Sequence, residues 1–363
     1  MLTIFLSCWL AFFPVSDINE IQSMFYTKQQ SVNKNDVSRF LSTLYPDEHY
    51  KQEQKRWFLD AVSFIDPKSF QMKVKSYQMI SSNYYQVVIT QTYRKKNIPY
   101  TFTYRTEVRK TKQGWKDADS LGYTRKKGAI TVKYSDPILL LQAERAISIL
   151  LHVSEMLGDK YVQRPKVIEA KLYYNPEVFR QSVKLSLPTW AGGWNEARQS
   201  IKLVIGKSDL SSLTHGLAHE YTHQLISYLT NDNAAYWLQE GAAMYYEALI
   251  SKETPHIDRD FQPYTISQLE RLNLEELSDE KASDYYVSCY IQFKKLIHQY
   301  GEQKLGNVFR HLHRYPYIDV DSAIKQKQTN QRTFHILQEN NILPNQLHSI
   351  SDAYLKKTNK NIL

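Results

Sequence analysis

Apolar and polar positions alternate in two successive regimes along this chain. From about Asp17 to Ser120 the segments "DVSRFLSTLY" and "EQKRWFLDAV" carry helical spacing, and a series of period-two stretches follows. "FQMKVKSYQMI", "YYQVVITQTYRK", "IPYTFTYRTEVRKT" and "GWKDAD" alternate polar with apolar or aromatic residues, which predicts a half-buried antiparallel sheet. Helices followed by a meander predict an α+β domain over residues 17–125.

After "GYTRKKGAI" the rhythm changes. "AITVKYS" predicts a strand. "DPILLLQAERAISILLHVSEMLG" predicts a helix opened by Asp136 and Pro137 and closed by Gly158, and "KVIEAKLYY" predicts another strand. "NPEVFRQSV" follows as a short helix, "QSIKLVIG" as an apolar strand, and "SDLSSLTHGLAHEYTHQLISYLT" as a long helix. The stretches "NAAYWLQEGAAMYYEALIS", "TISQLERL", "ASDYYVSCYIQFKKLIHQYG" and "GEQKLGNVFRHLHRY" continue as helices. A second domain is therefore expected over 126–315, strand-rich first and helical afterwards, with a helical C-terminal segment over 316–363.

Composition narrows the class. A chain of 363 residues accommodates two domains, and 27 tyrosines beside 11 glycines exclude collagen-like, low-complexity and disordered classes. The two cysteines, Cys8 and Cys289, are too few and too far apart for a disulfide framework. The net charge of +9 is interleaved with acidic residues apart from short runs such as "YRKKN" and "TRKKG". It reads as a solvated surface that could also suit a membrane or cell wall, and no nucleic-acid module accompanies it. Residues 1–16 contain an apolar run, "MLTIFLSCWLAFFPV", of about 14 residues, the length of a signal-peptide core. A secreted or membrane-anchored, extracytoplasmic protein is the expectation.

The chemistry concentrates in "LTHGLAHEYTHQLISYL". His219, Glu220 and His223 spell His-Glu-x-x-His on a predicted helix, where residues four apart share a face and both imidazoles reach one Zn²⁺. Glu220 is rotated about 100° from His219, toward the space of a metal-bound water, where a carboxylate serves as general base. His215 lies about 12 Å along the axis from His223, so the three histidines cannot ligate one ion, and His215 is expected as an outer or substrate-side residue. The third ligand is expected from "YWLQEGAAMYYE": Glu240, 17 positions after His223, with Gly241, Ala242 and Ala243 allowing the two helices to approach. Glu247, about 10 Å further along that helix, is too distant to share the ion and is expected at the surface or behind one of the ligands.

These motifs, together with "GGWNE", "IKLVIG" and "YYVSCYIQFKKLIHQYGEQKL", resemble the gluzincin zinc metallopeptidases over roughly Ala129–Tyr315. The resemblance is to the peptidase-MA-like group related to thermolysin and the M-one aminopeptidases. It implies a zincin domain with a strand-rich upper half and a helical lower half, His219, His223 and Glu240 as zinc ligands, and Glu220 as base. It also implies an oxyanion-stabilising tyrosine, with Tyr285 first and Tyr286 and Tyr290 as alternatives. "GGWNEA" stands where the aminopeptidases carry an amine-gripping Gly-x-Met-Glu-Asn, making Glu196 a loose analogue and Gly192 and Gly193 the backbone of an edge strand that pairs with extended substrate. The first domain is similar in element order to the nuclear-transport-factor-like fold and carries no catalytic spacing. The expected function is hydrolysis of peptide bonds in a peptide or protein substrate by a zinc-bound water. The alternative is a non-catalytic zinc- or peptide-binding domain at the cell surface.

Overall fold

A computed structural model describes residues 15–206, 209–319 and 322–342; most of the N-terminal apolar run, with Cys8, and the polar tail lie outside the described residues. The chain forms two units, one ending at Gly122 and completed by Glu177–Ser186, the other comprising Tyr123–Pro176 and the chain from Leu187 onward.

The first unit opens with α1 (Val15–Asn33), α2 (Val37–Ser42) and α3 (Glu48–Phe64). Asp36 and Asp47 cap α2 and α3 by accepting the backbone N–H of Arg39 and Tyr50. The antiparallel meander follows: β1 (Gln71–Ser81), β2 (Tyr84–Lys95), β3 (Ile98–Thr111) and β4 (Gly114–Asp117), in that spatial order. On β2 the alternation sends Tyr85, Val87, Ile89, Gln91 and Tyr93 inward, as the period-two pattern requires. Helix α1 has no counterpart among the predicted elements. Its buried Ile21, Met24, Phe25 and Val32 keep helical spacing, but polar residues fill the intervals. Tertiary partners fix it: Asp17 accepts from Trp115 Nε1 at 3.0 Å and from Lys110 Nζ at 2.7 Å, and Lys28 pairs with the buried Asp117 of β4.

The second unit begins with a hairpin of β5 (Tyr123–Lys127) and β6 (Ile130–Tyr134). The expected domain boundary after residue 125 therefore cuts through a strand, and the true break is at Gly122. Helix α4 (Leu140–Tyr161) carries the chain to β7 (Ile168–Tyr173). It runs past Gly158 and ends at Val162 in left-handed conformation, φ 62°. Arg164 packs against the face of Gly158. Helix α5 (Pro176–Val183) then crosses into the first unit, where Trp57 Nε1 donates to the Gln181 carbonyl and Gln91 Nε2 to the Gln181 side chain.

The chain returns through β8 (Gly193–Trp194) and β9 (Ile201–Val204), giving a mixed sheet ordered β5-β6-β7-β9-β8. Its three inner strands are parallel, and β8 is an antiparallel edge. Helices α6 (Leu210–Thr230), α7 (Tyr236–Ser251), α8 (Ile266–Leu269), α9 (Asp279–Tyr300), α10 (Glu302–Leu312) and α11 (Ser322–Glu339) complete the unit. Ile336, Leu337 and Ile342 join its core, so the described part of the C-terminal segment is an integral layer rather than an appendage.

Gly241 of α7, expected to admit α6, instead admits α9: a Cβ there would lie 2.6 Å from the Cys289 carbonyl oxygen and 2.8 Å from Phe293 Cβ. Backbone cannot yield cheaply, so Gly241→Ala is expected to destabilise the protein by about 1–3 kcal/mol, the usual cost of overpacking. Thermal unfolding checks this against Gly206→Ala, where a Cβ meets open space; equal Tm values for the two variants would contradict the packing described.

Candidate metal centre

Helix α6 is held at both ends. Asp209 accepts the Ser212 N–H at 2.8 Å, and Asn231 closes the helix in left-handed conformation with φ 51°. Its buried stripe runs through Leu213, Leu217, Ala218, Tyr221 and Leu225, and Gly216 lets β9 approach so closely that a Cβ would meet Leu203 Cδ1 at 2.5 Å. His215, His219 and His223 flank that stripe half-buried, facing α7.

Helix α7 meets them with two carboxylates. Glu240 Oε2 lies 3.4 Å from His219 Nε2 and 3.2 Å from His223 Nε2, and the two imidazole nitrogens are 3.1 Å apart. His219, His223 and Glu240 form a group that could hold a metal ion. Two turns on, Glu247 accepts from His215 Nδ1 and His219 Nδ1, each at 2.9 Å. The later carboxylate meets the earlier histidines, so α6 and α7 run antiparallel. Glu247 is thus no surface group, and it fixes the His219 ring with Nε2 toward Glu240. His215 takes up the outer position expected of it and also reaches Glu253, Nε2 to Oε2 3.2 Å.

The electrostatics favour a positive charge at this point. Burial alone would raise the pKa of Glu240, but His223 and His219 outweigh it and bring the carboxyl down to about 2. Burial works against a charged His219, but the Glu240 and Glu247 carboxylates overcome it and push the pKa well up. Glu240 Oε2 is buried, and no donor reaches it in hydrogen-bond geometry.

Glu220 points elsewhere. It is 7 % exposed, and a Cβ at Gly193 would lie 2.3 Å from its Oε1, so the edge strand β8 passes directly over this carboxylate. Burial raises the pKa of Glu220; His219 and His223 act against the rise. Of the predicted substrate-side residues, Gly193 is thereby placed at the centre. Glu196, two residues past β8, has its carboxylate held by Trp194 Nε1 at 3.1 Å and Gln199 Nε2 at 2.9 Å.

Tyr285 sits toward the core, where burial, with Cys289 and Glu240 nearby, pushes its phenol pKa well up. It is 1 % exposed, within the core that holds Cys289, whose thiol lies within hydrogen-bonding reach of its hydroxyl. Tyr290 is also buried and accepts from Lys294 Nζ at 3.3 Å. The tyrosine beside the histidines is Tyr286, half-buried, its ring 6.0 Å from that of His219 at 71°. Burial, with Glu240, Glu220 and Glu247 nearby, keeps its phenol protonated. Successive helix residues are turned about 100° apart, so Tyr285 faces the core while Tyr286 faces His219.

No protein-family model and no curated protein matches this sequence. Among solved structures, an NTF-2-like protein of unknown function from Shewanella oneidensis MR-1 is 14% identical, with 28% of this chain and 98% of that chain covered and a TM-score of 0.25. A protein from Novosphingobium aromaticivorans described as a candidate aromatic ring hydroxylase is 15% identical, with 29% and 86% covered and the same TM-score, 0.25. Likeness at this level carries no argument about fold or activity.

The placement of Glu247 yields a direct expectation. Glu247→Gln removes the anionic acceptor of His219 Nδ1 without changing its shape, and zinc affinity should fall about 10–100-fold. Competition titration against a chelator, with circular dichroism to confirm folding, checks this; unchanged affinity would show that the carboxylate does not orient the ring.

Proposed function

We propose that the second unit is a zinc-dependent peptidase of the gluzincin kind, with His219, His223 and Glu240 as the ligands and Glu220 as general base. The observation that carries this reading is the triangle of donor atoms. Ligands about 2.0–2.1 Å from a tetrahedral zinc lie roughly 3.3 Å from one another. The three separations here are 3.1, 3.2 and 3.4 Å. The donor set also fits: two imidazole nitrogens and one carboxylate, with the His219 ring oriented from behind by Glu247. A closed structural site would use four protein ligands and would have no use for the buried Glu220 beside it.

Zinc, when bound, would supply a Lewis acid that polarises the scissile carbonyl and makes water more acidic. The chain's own groups account for the remaining steps. As the edge of the sheet, β8 is where an extended peptide would add as a further strand. Gly193 lets this edge lie directly on Glu220, because a Cβ there would collide with the carboxylate. Glu220, its pKa raised by burial, accepts a proton from the attacking water and returns it to the leaving amine. Tyr286, protonated and next to His219, donates to the oxyanion that develops on the carbonyl oxygen. The mixed sheet with an antiparallel edge strand beside the ligand-bearing helix agrees with the same family reading.

Glu220→Gln is expected to retain stoichiometric zinc and to lose turnover by a factor of about 10²–10⁴. His223→Ala is expected to lose the metal itself. Metal analysis together with hydrolysis of a peptide mixture separates the two variants, and wild-type turnover in Glu220→Gln would overturn the assignment of the base.

A further inference from the structure

We propose that Trp190, packed against Tyr286, is a specificity-determining residue, and that the preferred substrates are peptides with an aromatic side chain close to the scissile bond. The proposal rests on the peptidase reading above and adds the substrate class. Its basis is a run of three rings. Trp190 lies edge-on to Tyr286, centroids 6.2 Å apart at 87°, and Tyr286 lies edge-on to His219 at 6.0 Å. The run leads from the loop before β8 to a metal-ligand candidate.

Both Trp190 and Tyr286 are half-buried, unlike Tyr285 and Tyr290, which the core encloses. The indole N–H of Trp190 donates to the Leu277 carbonyl at 3.3 Å, which fixes the ring and uses up its one polar group. What remains for a ligand is an apolar ring held at a set angle, the geometry in which a further aromatic ring stacks or packs edge-to-face.

Two edge-on contacts separate Trp190 from the ring of His219, with centroids 6.2 Å and 6.0 Å apart. Same-side residues of an extended peptide recur about every 7 Å. A side chain one or two positions from a bond cleaved beside His219 therefore comes within reach of the Trp190 ring.

The test uses the full chain loaded with zinc and a random decapeptide library. Wild type is expected to favour Phe, Tyr or Trp within two residues of the cleaved bond. Trp190→Ala and Trp190→Leu, the second keeping apolar volume, should both lose about tenfold in kcat/KM for aromatic peptides, mainly through KM, and leave small-residue peptides within about threefold. Trp190→Phe should retain the preference. Zinc content identifies any variant that fails to fold, and the other variant is then read. Cleavage by the folded variants with the wild-type preference intact overturns this inference and leaves the peptidase reading standing. Absence of cleavage by wild type overturns both.

Discussion

Two helices that run antiparallel bring three histidines against two half-buried carboxylates, and much of the second unit is arranged to permit that meeting. Burying glutamates and imidazoles together is costly unless the charges compensate one another. Here they do so in a ladder: Glu240 faces His219 and His223, and Glu247 faces His215 and His219. His219 belongs to both rungs, so its orientation is set by one carboxylate while its free nitrogen is presented to the other. The spacing of seven residues on α7 against eight on α6 lets the rungs match on neighbouring helices, since both intervals are close to two turns.

Three glycines set the distances around this ladder. Gly216 brings β9 onto α6, Gly241 brings α9 onto α7, and Gly193 brings β8 over Glu220. Each replaces a side chain by direct contact of backbone with a neighbour, and in each case a Cβ would come closer than 3.0 Å to an existing atom. The cluster is therefore positioned by elements from three directions, and the Tyr286 ring packs against His219 with Trp190 beside it. The groups lie in different directions: His219, His223 and Glu240 meet between the helices, and Glu220 lies under the edge strand.

The first unit is built on other interactions. Its aromatic core includes Phe40, Trp57, Phe58 and Phe70, with ring centroids 4.9–5.8 Å apart among the contacting pairs. A polar group lies beside that core. Lys28 pairs with Asp117, Thr106 donates to the same carboxylate, and Gln181 of α5 bonds with Gln91 and Tyr93. Helix α5 follows β7 and precedes β8 in the chain yet belongs to this unit, so the two units are joined by three chain crossings rather than a single linker.

Local periodicity by itself determined most of the elements. β2 and β3 span the residues that alternation marks, and α6 and α7 fall within the predicted helices, because each buries one face and period follows from which face is buried. The cluster of His219, His223 and Glu240, with Glu220 beside it, was equally legible, since His219, Glu220 and His223 lie about one turn apart on one helix and Glu240 follows on the next. Helix α1 was not legible, because its polar residues are satisfied by partners about ninety residues away. Nor were the allegiance of α5, the strand character of β5, which of the neighbouring tyrosines faces His219, or the position of Trp190. Each depends on which surface faces which neighbour. Residue spacing reports that within one helix or strand, and only packing decides it between them.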